Sequence, residues 1–251
     1  ALDEMLTHAA AVKSDAWVKS IDEWKKEIPI TMSGYEGMTP EKIINKINDL
    51  FPDSIVTTDV GQNQLWTTQY IRMDGKRQFL TSGGLGTMGY GLPAAIGASI
   101  GNPGNPVICI SGDGGAQMNI QELATAHALE TPVILCIFNN TYLGNVKQMQ
   151  KMFYNKRYSS TCLRYSRSCN RQCRIDGTCT GRDYVPDFVK LAESYGCTGI
   201  RVENEAQMDE AFKRAAENTK SVTLIEFMLD CEYDVYPMVP GGAALSDMMF
   251  G

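Results

Sequence analysis

The stretch ICISGDGGAQMNIQELATAHALETPVILCIFNNTYL, from Ile108 to Leu143, decides the fold that we expect for this chain. A short apolar run at Ile108–Ser111 is broken by the turn Gly112–Gly115, and apolar residues at helical spacing follow over Gln117–Leu129. A second apolar run, Val133–Phe138, reads as another buried strand. This order predicts a βαβ unit, in which the turns after both strands lie at the carboxyl edge of a parallel sheet.

The two turns carry residues suited to a metal ion and a diphosphate. Asp113 supplies a carboxylate, and Asn140, just after the second strand, supplies an amide oxygen. Mg²⁺ prefers such oxygen ligands and shares the rest of its shell with phosphate and water. Gly114 and Gly115 have no side chain, so a diphosphate could approach their backbone N–H groups. Because Gly-Asp-Gly is also a common turn sequence, an ordinary turn is the alternative interpretation.

The same residues resemble the diphosphate-anchoring motif of thiamine diphosphate enzymes. Other segments are similar to the acetohydroxyacid synthase (acetolactate synthase) catalytic subunit, in its C-terminal thiamine diphosphate-binding domain. These segments are TDVGQNQLW at 58–66, SGGLGTMGYGLPAAIGA at 82–98, FYNKRYS at 153–159, PDFVKLAESYG at 186–196 and VYPMVPGGA at 235–243. The resemblance implies an α/β fold, an open and mostly parallel sheet with helices on both faces.

The resemblance also implies a transferase activity. The family's carboligase decarboxylates pyruvate and joins the two-carbon unit to a second 2-keto acid, giving 2-acetolactate for branched-chain amino acid biosynthesis. One alternative is another thiamine diphosphate-dependent 2-keto acid decarboxylase or carboligase. A second is a non-catalytic subunit that supplies half of a site, and a third is a redox- or metal-responsive interaction module on a retired enzyme fold.

Several residues are assigned to the cofactor by this resemblance. Mg²⁺ would be held by Asp113, Asn140 and the backbone carbonyl of Tyr142. Met88 would be the apolar wedge that bends thiamine diphosphate, with Gly86 C=O and Met88 N–H at the aminopyrimidine; packing of Met88 in the core is the alternative. The remaining contacts are assigned to Gly61, Gln62, Asn63, Gly112, Gly114, Gly115, Leu143 and Gly144.

The turn after the first predicted strand departs from the family. Asn63 stands where the family commonly has His, so a cationic contact to the diphosphate is replaced by a neutral amide. The alternative interpretation of Gln62 and Asn63 is a helix cap.

The segment 143–154 is predicted to be helical and to border the active-site mouth, with Asn145, Val146 and Met149 as substrate-pocket candidates. The family commonly has Met in place of Asn145, and acetohydroxyacid synthases have Trp in place of Met149. That Trp is associated with the choice of 2-ketobutyrate as second substrate. Its absence favours a pyruvate-only acetolactate synthase or a carboligase with another acceptor.

No catalytic residue is assigned in this chain. In the family, a Glu from the amino-terminal pyrimidine-binding domain of a partner subunit activates the cofactor, and no segment here matches that domain. We therefore expect the isolated chain to lack carboligase activity and to bind Mg²⁺-thiamine diphosphate weakly at best. The full enzyme would be a homodimer or homotetramer. FAD would bind through a central domain in the full-length enzyme, and a regulatory subunit is a further possible partner.

The expected organisation has two parts. Residues 1–38 are interpreted as a linker helix and the tail of a central domain, with Trp17 and Trp24 in need of a partner surface on the following domain or elsewhere. Residues 39–251 would form the diphosphate-binding domain. Its tail, about 230–251, would fold over the active site like a lid, with a disordered terminus as the alternative.

One segment, roughly Cys162 to Arg182, is an insertion relative to the family. It is rich in arginine, and its cysteines, with six, three and five residues between them, are Cys162, Cys169, Cys173 and Cys179. Four thiolates could hold zinc or an iron–sulfur cluster. Because the segment has no Cys-x-x-Cys pair, two disulfides or unligated thiols stay as alternatives. We expect the insertion to border the active-site entrance.

Composition argues against several classes of partner. The formal net charge of −6 gives no reason to expect binding to nucleic acid or to an anionic membrane. No apolar run approaches the roughly 18 residues of a membrane span, and no signal pattern is present. We expect a cytoplasmic protein that acts on small 2-keto acids. Four cysteines in or beside apolar runs are interpreted as buried reduced thiols: Cys109, Cys136, Cys197 and Cys231.

Overall fold

The computed structural model describes residues 1–9, 14–164 and 186–250. Its strands are β1 (Ile55–Thr58), β2 (Gln78–Thr81), β3 (Val107–Gly112), β4 (Val133–Asn139), β5 (Thr198–Val202) and β6 (Thr223–Met228). They form one sheet of order β2-β1-β3-β4-β6-β5, and every neighbouring pair is parallel. The predicted α/β class with a parallel sheet is confirmed.

The helices are α1 (Leu2–His8), α2 (Asp15–Glu27), α3 (Pro40–Leu50), α4 (Gln62–Tyr70), α5 (Gly91–Gly101), α6 (Asp113–Ala116), α7 (Glu122–Ala128), α8 (Gly144–Phe153), α9 (Phe188–Ser194) and α10 (Met208–Glu217). Short 3₁₀ helices lie at Glu205–Gln207 and Leu245–Asp247. Over the described ranges, no helix is both long and apolar enough to cross a membrane.

The strands bury side chains on both faces, because alternate residues of each strand join different hydrophobic clusters. Ile108 and Ile110 of β3 pack in a cluster with residues of α3, α4 and α10, whereas Val107 and Cys109 pack in a cluster with residues of α5, α7 and α9. A sheet that is buried on both sides reads as nearly continuous apolar runs, which is why β3 and β4 could be recognised in the sequence. The predicted helices on both faces are confirmed.

The strand order places a crevice between β1 and β3. After β1 the chain forms β2 on one side of β1, and then crosses to form β3 on its other side. In open parallel sheets, ligands bind outside the carboxyl ends of the strands at such a reversal of direction. The turns that carry Asp59–Asn63 and Gly112–Gly115 both lie at this edge, since Thr58 pairs with Ile110.

The chain after β3 differs from the single helix expected over Gln117–Leu129. The structure has the short α6 beginning at Asp113 directly after the strand, a turn, and then α7 over Glu122–Ala128. Asn119 donates its side-chain amide to the carbonyl of Gly89, 2.8 Å away, which holds the turn against the glycine-rich segment. The helical spacing of apolar residues was therefore a misleading signal before Glu122.

Strand β2 was not predicted. It is a four-residue edge strand whose side chains are at best half-buried, so it has no apolar run to mark it. Its register against β1 is nevertheless regular over all four residues.

The two tryptophans of α2 do not pack on the sheet domain. Trp17 and Trp24 are 59% and 52% exposed, and their rings contact each other edge to face at a centroid distance of 5.3 Å. The interpretation that they pack on the following domain is wrong for the described structure. The interpretation of four buried cysteines also needs correction, because Cys231 is only half-buried whereas Cys109, Cys136 and Cys197 are buried.

Candidate functional site

A cavity of about 140 Å³ lies at the carboxyl ends of β1, β3 and β4. This volume is below the roughly 300–1,000 Å³ of a typical small-molecule pocket. It is lined by Val60, Gly61, Gln62, Asn63, Trp66, Met88, Gly112, Asp113, Gly114, Gly115, Phe138, Asn140, Tyr142, Leu143, Gly144, Asn145 and Val146. Of the residues that the sequence assigned to the cofactor or to the substrate pocket, Gly86 and Met149 do not line this cavity.

Asp113 is a buried carboxylate with one oxygen unsatisfied. Its Oδ1 accepts a hydrogen bond from the backbone N–H of Gly114 at 3.0 Å, while Oδ2 has no hydrogen-bond partner among the described residues. Burial raises the pKa of this carboxyl to about 7. A buried carboxylate is costly unless a positive charge or donors neutralise it. The site therefore offers an oxygen ligand that suits a cation.

Asn140 lies on a strained turn after β4. Its Oδ1 accepts a hydrogen bond from the backbone N–H of Tyr142 at 3.1 Å and keeps a second lone pair. Between them, Thr141 adopts a left-handed conformation with φ +62°, which is unfavourable for a β-branched residue. Strain of this kind persists where surrounding structure enforces it, often at functional sites.

At two glycines of the site, an added side chain would approach neighbouring atoms closely. An ideal Cβ on Gly114 would lie 2.6 Å from Leu143 Cδ2 and 3.6 Å from Met88 Cε. An ideal Cβ on Gly144 would lie 2.8 Å from Asn140 Nδ2. The absence of a Cβ thus keeps the cavity wall open at Gly114 and permits the close packing of α8 at Gly144.

Met88 faces the cavity. It is half-buried and belongs to neither hydrophobic cluster, so the alternative of core packing is wrong. Its turn is held by Asp59, a fully buried residue that our sequence interpretation did not single out. Asp59 accepts hydrogen bonds from the backbone N–H of Gly89 at 2.9 Å and of Gly91 at 3.2 Å. The signal that could have identified it is its position directly after β1.

Gln62 and Asn63 use their side-chain amides within the protein. Asn63 Nδ2 donates to the carbonyls of Asp59 and Ile110, both at 3.1 Å, and so joins the ends of β1 and β3. Gln62 Nε2 likewise donates to two protein acceptors. The helix-cap alternative is wrong, since α4 has no side-chain cap. Donation from either amide to a phosphate would require these bonds to break, although both residues line the cavity.

The described beginning of the insertion lies against the turn after β4. Cys162 pairs with Tyr142 in an antiparallel bridge. On either side of it, Leu143 N–H donates to Thr161 O at 2.8 Å, and Leu163 N–H donates to Thr141 O at 2.9 Å. Leu163 also reaches the cavity wall, because its Cδ1 lies 3.7 Å from an ideal Cβ on Gly114.

The metal hypothesis for the insertion stays a prediction. Three of the cysteines that it invokes, Cys169, Cys173 and Cys179, lie outside the described residues. Within the described ranges, no group of three or more His, Cys, Asp or Glu residues could hold a metal ion.

The C-terminal tail is anchored to α8 beside the cavity. Lys147 donates to the carbonyl of Cys231 at 2.7 Å and pairs with Glu232 at 2.5 Å, and Lys151 pairs with Asp234 at 2.7 Å. Partial burial acts in the opposite direction, but the hydrogen bonds and charges of the two lysines hold the pKa of Glu232 below its usual range. The alternative of a disordered tail is therefore wrong over 231–235.

Comparison with known proteins identifies the chain's relatives. The family model described as "Thiamine pyrophosphate enzyme, C-terminal TPP binding domain" matches residues 59–227. The chain is 40% identical over 240 residues to the probable acetolactate synthase large subunit of Methanococcus aeolicus. It is 37% identical over 245 residues to the acetolactate synthase large subunit of Parasynechococcus marenigrum. It is 38% identical over 256 residues to the mitochondrial acetolactate synthase catalytic subunit of Saccharomyces cerevisiae.

These alignments cover 93%, 97% and 99% of this chain but only 37%, 36% and 34% of the respective relatives. The chain thus spans about a third of the length of the curated relatives that it matches. The resemblance found in the sequence motifs is confirmed.

Proposed function

The chain belongs to the thiamine pyrophosphate enzymes, as their C-terminal TPP-binding domain, and from this we propose that it is the cofactor-binding part of an acetolactate-forming carboligase. The observation that carries the proposal is the buried Oδ2 of Asp113, which lies in the cavity at the β1–β3 crevice and has no hydrogen-bond partner among the described residues. The reaction would be a transfer in which two pyruvate molecules give one 2-acetolactate and one CO₂.

We propose that Asp113 and Asn140 hold Mg²⁺ in this cavity, with the carbonyl of Tyr142 as a further ligand. Asp113 Oδ2, which has no partner in the described part of the chain, and the second lone pair of Asn140 Oδ1 are hard oxygen donors, and Mg²⁺ prefers these to softer ligands. The ion would neutralise the Asp113 carboxylate, one oxygen of which is buried and has no partner within the described ranges. Its charge would also bind the diphosphate of the cofactor.

The remaining cavity residues would shape the space for thiamine diphosphate. The cofactor supplies the electron sink for decarboxylation, and the protein supplies orientation and electrostatics. Gly114 keeps the wall free of a side chain, and Met88 presents an apolar surface to the cavity. Asp59 fixes the turn that carries Met88 through the N–H groups of Gly89 and Gly91.

The substrates are proposed to be small 2-keto acids, with pyruvate as donor and acceptor. Asn145 and Val146 line the cavity, and Asn145 Oδ1 is a buried acceptor without a hydrogen-bond partner in the described residues. In the complete enzyme, a partner subunit would contribute the pyrimidine-activating Glu, and assembly as a homodimer or homotetramer would bring it to this cavity. FAD would bind largely through a central domain of the full-length enzyme, and a regulatory subunit would be a further partner.

A binding experiment tests the proposal. Thiamine diphosphate would be titrated into the full chain with and without Mg²⁺, and binding would be followed by calorimetry and by tryptophan fluorescence, to which Trp66 in the cavity wall contributes. We expect Mg²⁺-dependent binding that weakens at least about tenfold in Asp113→Asn, because a metal ligand is lost. Asp53→Asn, a change of an exposed carboxylate, is the matched control. Equal binding by the wild-type chain and Asp113→Asn would contradict the proposed metal site.

An activity assay tests whether a partner segment is needed. Acetolactate would be measured with pyruvate as substrate, first with the isolated chain and then with a polypeptide that also contains an amino-terminal pyrimidine-binding domain. We expect product only in the second case. Sustained acetolactate formation by the isolated chain would contradict the dependence on a partner segment.

A further inference from the structure

A series of hydrogen bonds between three buried amides connects the C-terminal tail to Asn140. Gln148 contacts Val235 with both ends of its side chain: Oε1 accepts from Val235 N–H at 2.9 Å, and Nε2 donates to Val235 O at 2.8 Å. Gln62 Nε2 then donates to Gln148 Oε1 at 3.0 Å, and Asn140 Nδ2 donates to Gln62 Oε1 at 3.2 Å. Gln148, Gln62 and Asn140 are 1%, 5% and 7% exposed.

The first member of the series has only one orientation that satisfies its partners. A side-chain amide has a donor end and an acceptor end of nearly the same shape, so its direction is decided by its hydrogen bonds. The backbone of Val235 offers a fixed N–H and a fixed C=O. Gln148 meets both correctly in one orientation and neither in the other. Its acceptor oxygen is therefore set by the tail.

The orientation passes from Gln148 to Gln62. Because Gln148 presents an oxygen, Gln62 must present its amino group, and the carbonyl of Tyr233 at 3.1 Å accepts the other hydrogen of that group. A reversed Gln62 would place an oxygen against two oxygens. Gln62 therefore presents Oε1 to Asn140. Of the two ends of the Asn140 amide, Nδ2 is the one that can donate to this oxygen.

We propose that Gln148 is a positioning residue that acts through Gln62 to fix the side-chain amide of Asn140 with its oxygen directed to the bound cation. The cation in this statement rests on the proposed function, whereas the orientation of the amides does not. Asn140 Nδ2 is held by Gln62, which leaves Oδ1 for Tyr142 N–H and for a metal ion. The tail thus acts together with Tyr142 N–H in determining which atom of Asn140 the metal meets, although the tail does not contact the metal.

The first test measures cation affinity. Mn²⁺, used as a paramagnetic substitute for Mg²⁺, would be titrated into the full chain with saturating thiamine diphosphate, and free Mn²⁺ would be measured by electron paramagnetic resonance. Gln148→Met keeps the length of the side chain without its amide. We expect the dissociation constant for Mn²⁺ to rise about fivefold, the effect of losing one typical hydrogen bond.

The matched control is Gln69→Met. Gln69 Nε2 donates to Tyr236 O at 3.0 Å. This change therefore also removes a hydrogen bond from a side-chain amide to the tail, but Gln69 is not a member of the series. We expect the affinity for Mn²⁺ to stay within about twofold of the wild type. Equal losses in Gln69→Met and Gln148→Met would overturn the proposal, because loss of tail attachment would then explain both.

The second test removes the difference between the two ends of residue 140. In an Asn140→Asp background both terminal atoms are oxygens, so the direction of the side chain no longer matters for the metal. We expect the penalty of Gln148→Met on Mn²⁺ affinity to fall by at least half in this background, as in a double-mutant cycle between coupled residues. An unchanged penalty would overturn the proposal and assign Gln148 a purely structural role.

The third test needs no metal. The side-chain amide protons of Asn140 would be followed by NMR in the metal-free chain labelled with ¹⁵N-asparagine. We expect their resonances to move and their exchange with water to accelerate in Gln148→Met but not in Gln69→Met. Unchanged Asn140 amide signals in Gln148→Met would overturn the proposal. If these signals respond but the wild-type chain binds no Mn²⁺, the proposed function fails while the amide series stands.

Discussion

The carboxylate of Asp59 occupies the space that a side chain on residue 115 would need. An ideal Cβ on Gly115 would lie 2.7 Å from Asp59 Cγ and closer still to Oδ1. The carboxylate cannot withdraw easily, since it accepts hydrogen bonds from Gly89 and Gly91. One acidic side chain therefore joins the end of β1, the turn that carries Met88 and the beginning of α6.

We predict that Gly115→Ala destabilises the chain by about 1–3 kcal/mol, the usual cost of inserting a methyl group into a packed site that cannot relax. Thiamine diphosphate binding should weaken as well, because the turn with Met88 must shift with Asp59. Urea unfolding gives the first quantity and calorimetry the second. The control is Gly97→Ala in α5, where an added Cβ meets nothing within 4 Å and should stabilise the helix by about 0.5–1 kcal/mol. Similar effects of the two variants would contradict the role of Asp59.

The neighbouring change, Gly114→Ala, should separate stability from binding. Here the added methyl group meets Leu143 Cδ2, the end of a flexible side chain, which can rotate away into the cavity. We predict a change in unfolding free energy of less than about 1 kcal/mol and a loss of thiamine diphosphate affinity of about tenfold or more, since the open wall is filled. Calorimetry on a variant with an unchanged urea midpoint would establish this result. Unchanged affinity would show that the diphosphate does not approach Gly114.

For Asp59→Asn, we predict a destabilisation of about 1–3 kcal/mol. The amide has one acceptor atom in place of two, and its amino group would face backbone N–H groups that then lack a partner. The ¹³C-methyl resonance of Met88 should broaden as its turn loses its fixed position. Asp74→Asn changes an exposed carboxylate and should stay within about 0.5 kcal/mol of the wild type. A sharp, unshifted Met88 signal in Asp59→Asn would contradict the positioning role.

Acid should weaken the attachment of the tail to α8. Partial burial opposes the ionised form of Glu232, but Lys147 and Lys151 outweigh it and hold the pKa of Glu232 below its usual value of 4.5. A depressed carboxylate pKa means that the stabilisation is present above the pKa of the unfolded state and is lost as pH falls through the lower folded pKa. Glu232→Gln should therefore cost up to about 1 kcal/mol at pH 7, a small value because the side chain is largely exposed.

The measurement is urea unfolding of the wild type and Glu232→Gln from pH 7 to pH 3. The difference between them should shrink as pH falls below 4.5 and disappear at the acid end. Glu193→Gln, on the exposed side of α9, should show no such dependence. A difference that is constant over the whole range would mean that the charge of Glu232 is not the source of the effect.

Much of the fold could be predicted from the sequence because β3 and β4 are buried on both faces and therefore read as apolar runs. The edge strand β2 lacked that signal. Asn119, with its bond to Gly89, lies in a turn before α7, so this helix begins at Glu122 and not at Gln117 as the periodicity alone indicated. Asp59 follows β1 in the same turn as Gln62. The strand-end rule that indicated Gln62 would have indicated it too.

The amide series could not be predicted from the sequence. Gln62 and Tyr233 are 171 positions apart, and their contact depends on the path of the tail across α8. A Gln in a helix is as easily a solvent-exposed residue as a buried one, and nothing local distinguishes Gln148 from Gln150. Only the burial and the partners of each amide separate a residue that orients Asn140 from one that does not.

The backbone hydrogen bonds between Thr141–Leu143 and Thr161–Leu163 have a consequence for where the length of the chain can vary. They fasten the turn after β4 on its outer side, and the last of them is made by Leu163. Chain length can therefore change after that point while the turn with Asn140 and Tyr142 keeps its shape. New sequence added there would begin beside the cavity, since Leu163 Cδ1 lies 3.7 Å from an ideal Cβ on Gly114, and the same point would serve a protein engineer as a graft site.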